Sequence, residues 1–167
     1  MVDDLVRRMG HLTLGSRLKR IGERLQGDVT RLSARLGLDI AAGQYPLLAV
    51  LAGTEPASIG ALARRVGVSQ PAITRSVTQL EAAGLVATAA DPTDQRARVV
   101  RLTEAGRRLV DRAERDLWPA IETAVRRLCA DLDGPLLDQL DALEDALAAR
   151  PLDARARDLL PETEPRP

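Results

Sequence analysis

The chain has no phenylalanine, and only one tryptophan (Trp118), one tyrosine (Tyr45), one cysteine (Cys129) and one histidine (His11) in 167 residues. Without large aromatics the core must be filled by Leu, Val, Ile and Ala. Leu and Ala have the strongest intrinsic helix preference, so the composition points to a mainly α fold. A single cysteine excludes an intrachain disulfide framework and a cysteine-rich zinc site. A single histidine excludes a histidine-based catalytic pair or a multi-histidine metal site within one chain. Long apolar runs are also missing. The longest, Tyr45 to Ala52, is far short of the ~20 residues that a bilayer span needs. The opening Met-Val-Asp-Asp is acidic, unlike the basic start of a signal peptide. No nucleophile–base pair, metal-ligand spacing or phosphate-binding glycine loop is present. The expectation is a cytoplasmic helical protein that is not an enzyme, with no cofactor, no metal and no membrane association.

Net charge is absent too, with 24 basic and 24 acidic side chains, but the balance is regional. Residues 1–56 carry a net of +2, residues 57–103 a net of +3, and residues 104–167 a net of −5. A basic middle between helical flanks confines any polyanion contact to one face. Alone it is a weak electrostatic footprint.

From Leu5 to about Leu36 the apolar residues Leu5, Met9, Leu12, Leu18, Ile21, Leu25, Val29 and Leu32 recur mostly at spacings of three and four, which predicts one long amphipathic helix. Gly10, Gly15, Gly22 and Gly27 weaken it, so it needs packing support. A second helix is expected over residues 43–52 and a third from Ser58 to Val66, stopped by Gly67. Ser69 can cap a fourth, with Pro71 in its first turn. Ile73, Val77 and Leu80 fall on its core face. Two β-compatible runs, Leu85 to Ala89 and Arg98 to Leu102, flank the turn-rich tip Asp91-Pro92-Thr93-Asp94-Gln95-Arg96. Thr103 can cap a following helix that Pro119 should kink. A last helix runs from Leu136 to about Arg150.

The string from Leu62 to Arg75 has the logic of a helix-turn-helix: Ala63 permits close approach, Gly67 supplies the turn, and Val68 and Ile73 anchor the second helix on the first. That geometry pushes the start of the second helix outward, towards a major groove. Gln70 and Arg75 are suited to bidentate base-edge contacts, and Ala72 or a threonine methyl to thymine. Ser69, Thr74 and Thr78 are suited to phosphates. A hairpin behind this helix would be a wing, with Arg96 at its tip entering a minor groove and Arg98 close to the backbone. Asp94 either orients an arginine such as Arg75 or Arg96, or is a turn residue.

These residues carry a resemblance. The helix ending Gln79-Leu-Glu-Ala-Ala-Gly-Leu-Val86, then Asp91-Pro-Thr-Asp-Gln-Arg-Ala-Arg98, then Val99-Val-Arg-Leu-Thr-Glu-Ala-Gly106, closely resembles the multiple-antibiotic-resistance regulator (MarR) family of winged helix-turn-helix transcription factors. The resemblance implies a homodimeric repressor bound to a pseudo-palindromic double-stranded operator and released by a small aromatic or carboxylate effector. It implies a helical dimerisation lobe formed by residues 1–36 and 104–150 and a winged DNA-binding lobe over 43–103; the proline-rich tail over 151–167 is expected to be frayed. Two departures thin the wing: Val86-Ala-Thr-Ala-Ala90 and Gln95 stand where relatives place basic residues.

His11 beside the apolar stripe and Tyr45 at the start of the second helix are the candidate effector ligands, against an ordinary packing role for each. Trp118 reads as packing at the kink, and Cys129 has no basic activator that would make it a redox switch. The competing reading is a helical interaction module whose winged fold no longer binds DNA.

Overall fold

The computed structural model describes residues 4–54, 56–90 and 98–157. The chain divides into two compact units, Met1–Glu122 and Thr123–Pro167.

The first unit opens with α1 (Leu5–Arg8), a 3-10 turn (Gly10–Thr13) and α2 (Leu14–Arg35). The single helix expected from Leu5 is therefore broken. The cause is Gly10, whose φ of +56° lies outside any right-handed helix and is accessible to glycine without steric penalty. A 3-10 turn (Ala42–Gln44) leads into α3 (Tyr45–Ala52), which has a proline in its first turn. Next come β1 (Ala57–Ser58), α4 (Ile59–Val66) and α5 (Gln70–Ala82). The strands β2 (Val86–Ala90) and β3 (Arg98–Leu102) follow. They pair antiparallel, Val86 opposite Leu102 and Ala90 opposite Arg98. The two-residue β1 adds to the free edge of β3, giving the order β1-β3-β2. That third strand was not expected, because two residues carry no alternation to read.

After the sheet comes α6 (Glu104–Arg112), capped by the Thr103 hydroxyl accepting from the Gly106 N–H. A π turn (Ala113–Leu117) separates α6 from α7 (Trp118–Cys129). Pro119 has no N–H and its ring crowds the preceding turn, so the irregularity expected at Pro119 takes the form of a widened turn just before it.

The core draws on α3 to α6, both wing strands and the π turn. Leu48, Leu62, Leu80, Val100, Ala113 and Leu117 are completely buried, with Leu38, Leu47, Ile73 and Val110 nearly so. Val29 and Leu32 of α2 and Trp118 and Ile121 of α7 pack against its edge. Arg112 donates from Nη2 to the Leu36 carbonyl at 2.7 Å, tying the end of α6 to the end of α2. Aliphatic side chains, as the composition required, supply nearly all of this interior.

The root of the wing is clamped at one point. Gly84, at φ +71°, turns the chain out of α5. The Thr103 hydroxyl donates to the Gly84 carbonyl at 2.7 Å, and the Thr103 N–H to the Leu85 carbonyl at 3.0 Å. Gly106 packs onto the residue just before β2: a Cβ there would stand 2.0 Å from the Leu85 carbonyl oxygen. Backbone cannot yield as a flexible side chain can, so Gly106→Ala should destabilise the fold by about 1–3 kcal/mol. Urea unfolding measures this, and an unchanged midpoint would show that the contact relaxes freely.

The second unit contains the end of α7 together with α8 (Leu136–Ala149) and α9 (Leu152–Arg157). The stretch expected to be frayed thus begins with a short helix. Arg155 donates to the carbonyls of Arg150 and Ala146, at 2.7 and 2.5 Å, and so satisfies the C-terminal end of α8. Among the described residues, no helix is long and apolar enough to cross a membrane.

Candidate nucleic-acid interface

Helices α4 and α5 form the expected helix-turn-helix. Ser58 caps α4 through its hydroxyl, which accepts from the Ala61 N–H. Gly67 ends α4 at φ +74°, and its N–H and that of Val68 both reach back to the Ala63 carbonyl. Leu62 and Ala63 are buried against α5, from which Ile73, Val77 and Leu80 face inward. The expected second anchor differs: Val68 is 45% exposed. With its N–H held by the α4 carbonyl, Val68 serves as a backbone hinge and its side chain points outward.

With Ile73, Val77 and Leu80 fixed inward, helical geometry turns the opposite arc of α5 to solvent. Thr74, Arg75, Thr78 and Gln79 are exposed there. Ser69 occupies the N-cap position in extended conformation, but its hydroxyl makes no capping hydrogen bond. Gln70 is exposed yet lies along α4, its amide nitrogen 3.5 Å from where a Cβ on Gly60 would be. Ala72 sits half-buried on the flank. Thr74 and Thr78 each donate a hydroxyl proton to the carbonyl four residues earlier, both at 3.0 Å. That bond fixes the rotamer, so each threonine presents a methyl group and acceptor lone pairs to its surroundings.

Arg98 is exposed at the first position of β3. Asp94 and Arg96 lie outside the described residues. Arg64 and Arg65, in the last turn of α4, are exposed as well. Among the described residues no carboxylate forms an ion pair with Arg64, Arg65, Arg75 or Arg98. Arg64 and Arg65 were counted in the basic middle but not assigned to the surface; their place beside the turn is the signal that would have found them. Gln44 was missed altogether. It is buried, and its Nε2 donates to Gln79 Oε1 at 2.9 Å, bracing α5 from the start of α3. No periodicity reports a partner 35 residues away.

The two candidate effector residues are set differently. His11 is exposed in the 3-10 turn. Tyr45 is buried and donates its hydroxyl to Ser33 Oγ at 3.0 Å, and Ser33 donates onward to the Val29 carbonyl at 2.8 Å. The Tyr45 ring meets Trp118 edge-on, with centroids 6.0 Å apart. Trp118 Nε1 is buried without an acceptor among the described residues. Burial pushes the Tyr45 phenol up, against an opposing pull from Ser33. Because its folded value exceeds the unfolded one near 10, the neutral phenol contributes stability that is fully present below about pH 10 and lost as pH rises through the folded value. As Tyr45 is the only tyrosine, tyrosinate absorbance reads it alone. The midpoint in the folded chain should exceed that in urea; equal midpoints would mean an open hydroxyl.

Residues 36–97 match the model of the MarR family. Over 101 residues the chain is 28% identical to the HTH-type transcriptional regulator YdgJ of Bacillus subtilis (strain 168), covering 60% of this chain and 62% of that relative. The match thus spans about three-fifths of the relative's length. The structure of CouR, a transcriptional repressor bound to a 23-mer DNA duplex, superposes with a TM-score of 0.60 at 27% identity, covering 84% of this chain and 95% of CouR. A MarR-family transcriptional regulator from Silicibacter pomeroyi gives a TM-score of 0.57 at 28% identity, covering 87% of this chain and 96% of that one. The helix-turn-helix, the three-stranded wing and these likenesses agree: the chain has the winged-helix fold of MarR-family transcriptional regulators, and its residues 36–97 match the model of that family.

Proposed function

We propose that the chain is a cytoplasmic, homodimeric transcriptional repressor that recognises a pseudo-palindromic operator and is modulated by a small aromatic or carboxylate effector. The observation that carries this reading is the two-sidedness of α5. Ile73, Val77 and Leu80 lock its rear face into the core, leaving Arg75 exposed on the other. A guanidinium held there is suited to bidentate contact with guanine O6 and N7. Gln70 and Ala72 flank it. Thr74 and Thr78, their hydroxyl protons spent within the helix, favour thymine methyl contact over donation to phosphate. Ser69, at the open N-terminus of α5, can hold a phosphate. Arg98 would lie close to the flanking backbone and Arg96 would enter the minor groove, with Asp94 orienting an arginine. Two copies of α5 in successive major grooves put half-sites about 10 bp apart, centre to centre.

For the effector, the Tyr45–Trp118 pair is the favoured locus, since Trp118 Nε1 is a buried donor with no acceptor among the described residues. A ligand there can act only through differential affinity for the DNA-competent and DNA-incompetent states. Trp118, as the only tryptophan, reports its own site when benzoate is titrated in. His11 is kept as a second, exposed candidate.

The deciding experiment is selection of bound fragments from the source genome at moderate salt, followed by sequencing. Enrichment of one short inverted repeat establishes sequence-specific recognition. Uniform or absent enrichment from a folded protein would favour a protein-interaction module, for which the wing depleted of basic residues and the zero net charge speak.

A further inference from the structure

At the wing root a cavity of about 650 Å³ opens between the end of α3, the link to β1, the end of β3 and the start of α6. Its size falls within the range of ~300–1,000 Å³ that small-molecule sites occupy. Leu51, Pro56 and Leu102 give it an apolar floor, and Leu51 and Leu102 are buried in the core. Arg101 and Arg107 line it as well, both exposed. It shares no lining residue with the Tyr45–Trp118 pair or with the outward face of α5.

The local fold makes no use of these two guanidiniums. Among the described residues neither side chain forms an ion pair or a hydrogen bond. Glu104 is taken by Arg108, and Asp111, one turn beyond Arg107, forms no ion pair with it. The end of α3 is served from within: the Ala49 carbonyl accepts from the Gly53 N–H at 3.2 Å and the Val50 carbonyl from the Thr54 hydroxyl at 2.8 Å. Arg107 is the fourth residue of α6, near the end where the helix dipole disfavours a cation and favours an anion.

We propose that this cavity binds the phosphate group of a small phosphate monoester, clasped by Arg101 and Arg107, with the organic part resting on Leu51, Pro56 and Leu102. Each guanidinium presents a fork of N–H donors that matches two phosphate oxygens. Two positive charges meet the charge of about −1.5 to −2 on such a group at pH 7, whereas a carboxylate would balance one of them. The bound group would tie β3 to α6 across Thr103, the residue that already clamps the wing root.

The test is calorimetric titration of phenyl phosphate into the full-length chain at fixed salt. One saturable site per chain is expected, weakened at least about tenfold in Arg101→Gln and in Arg107→Gln, because charge-assisted hydrogen bonds are lost. Both side chains are exposed, so each variant should melt with wild type, and either one alone decides. Arg108→Gln removes the same charge one residue away, outside the cavity, and should leave binding within about twofold. Inorganic phosphate should compete for the site, about threefold or more weakly for want of an apolar body. Benzoate binding should be indifferent to both arginine variants. An equal loss in Arg108→Gln would overturn the site in favour of diffuse surface charge. A loss of benzoate binding as large as that of phenyl phosphate would overturn the phosphate assignment. Absence of saturable binding to wild type would overturn the proposal outright. Its appearance in Glu55→Gln would then give the reason, that the arginines serve Glu55, which lies outside the described residues. A salt slope for operator binding that falls by about one in Arg107→Gln would also overturn it, making the cavity a seat for the DNA backbone and not for a free phosphate ester.

Discussion

Arg75→Ala is expected to weaken binding to the selected operator by about 1–3 kcal/mol per half-site, roughly five- to 150-fold, and by the square of that factor for a dimer on two half-sites. Arg75 is exposed, makes no ion pair among the described residues, and lies opposite the buried rear face of α5. Its removal leaves no cavity, so the unfolding midpoint should stay within about 0.5 kcal/mol of wild type. Competition binding at fixed salt separates two roles. A base-reading arginine loses specific affinity and relaxes preference at one position of each half-site. A phosphate-binding arginine weakens all sequences evenly and reduces the salt slope by about one. Undiminished operator affinity in the folded variant would refute the assignment of α5 as the reading helix.

Leu80→Ala should do the reverse. Leu80 is completely buried and lies one turn from the point where Gly84 redirects the chain into the wing. Truncation removes three carbons from a packed interior and costs about 2–5 kcal/mol, a large share of the 5–15 kcal/mol that typically holds a domain. The folded fraction should still present Arg75 correctly. Excess operator, at 100 times its Kd, would then recover about 2.7 kcal/mol by mass action. Urea unfolding with and without operator measures both numbers. A variant as stable as wild type would mean that the α5 rear face repacks without loss, and the fixed presentation of Arg75 would lose its physical basis.

These two variants mark how much was legible in advance. Ile73, Val77 and Leu80 recur at helical spacing behind a Ser69–Pro71 start, and Gly67 and Gly84 stand where the backbone needs a left-handed turn. Such signals are local and survive without tertiary context. The wing strands fell within one residue of their expected bounds because a turn-rich segment separates two β-compatible runs. The N-terminal helix was misread at Gly10, where apolar spacing continues through a break that only backbone conformation reveals. Val68 was misread too: an apolar residue next to a turn usually faces inward, but here the bond from its N–H to Ala63 sets its direction.

The sequence by itself determined the helical class, the aliphatic core, the helix-turn-helix and the outward placement of Arg75. Each follows from residue preference, period or capping within about a dozen neighbouring residues. The tertiary structure decided what depends on distant partners: Gln44 bracing Gln79, Arg112 closing on Leu36, Thr103 and Gly106 clamping the wing root, and β1 completing the sheet. A hydrogen bond or a backbone contact between residues far apart in the chain exists only when the fold brings them together, and no local pattern encodes it.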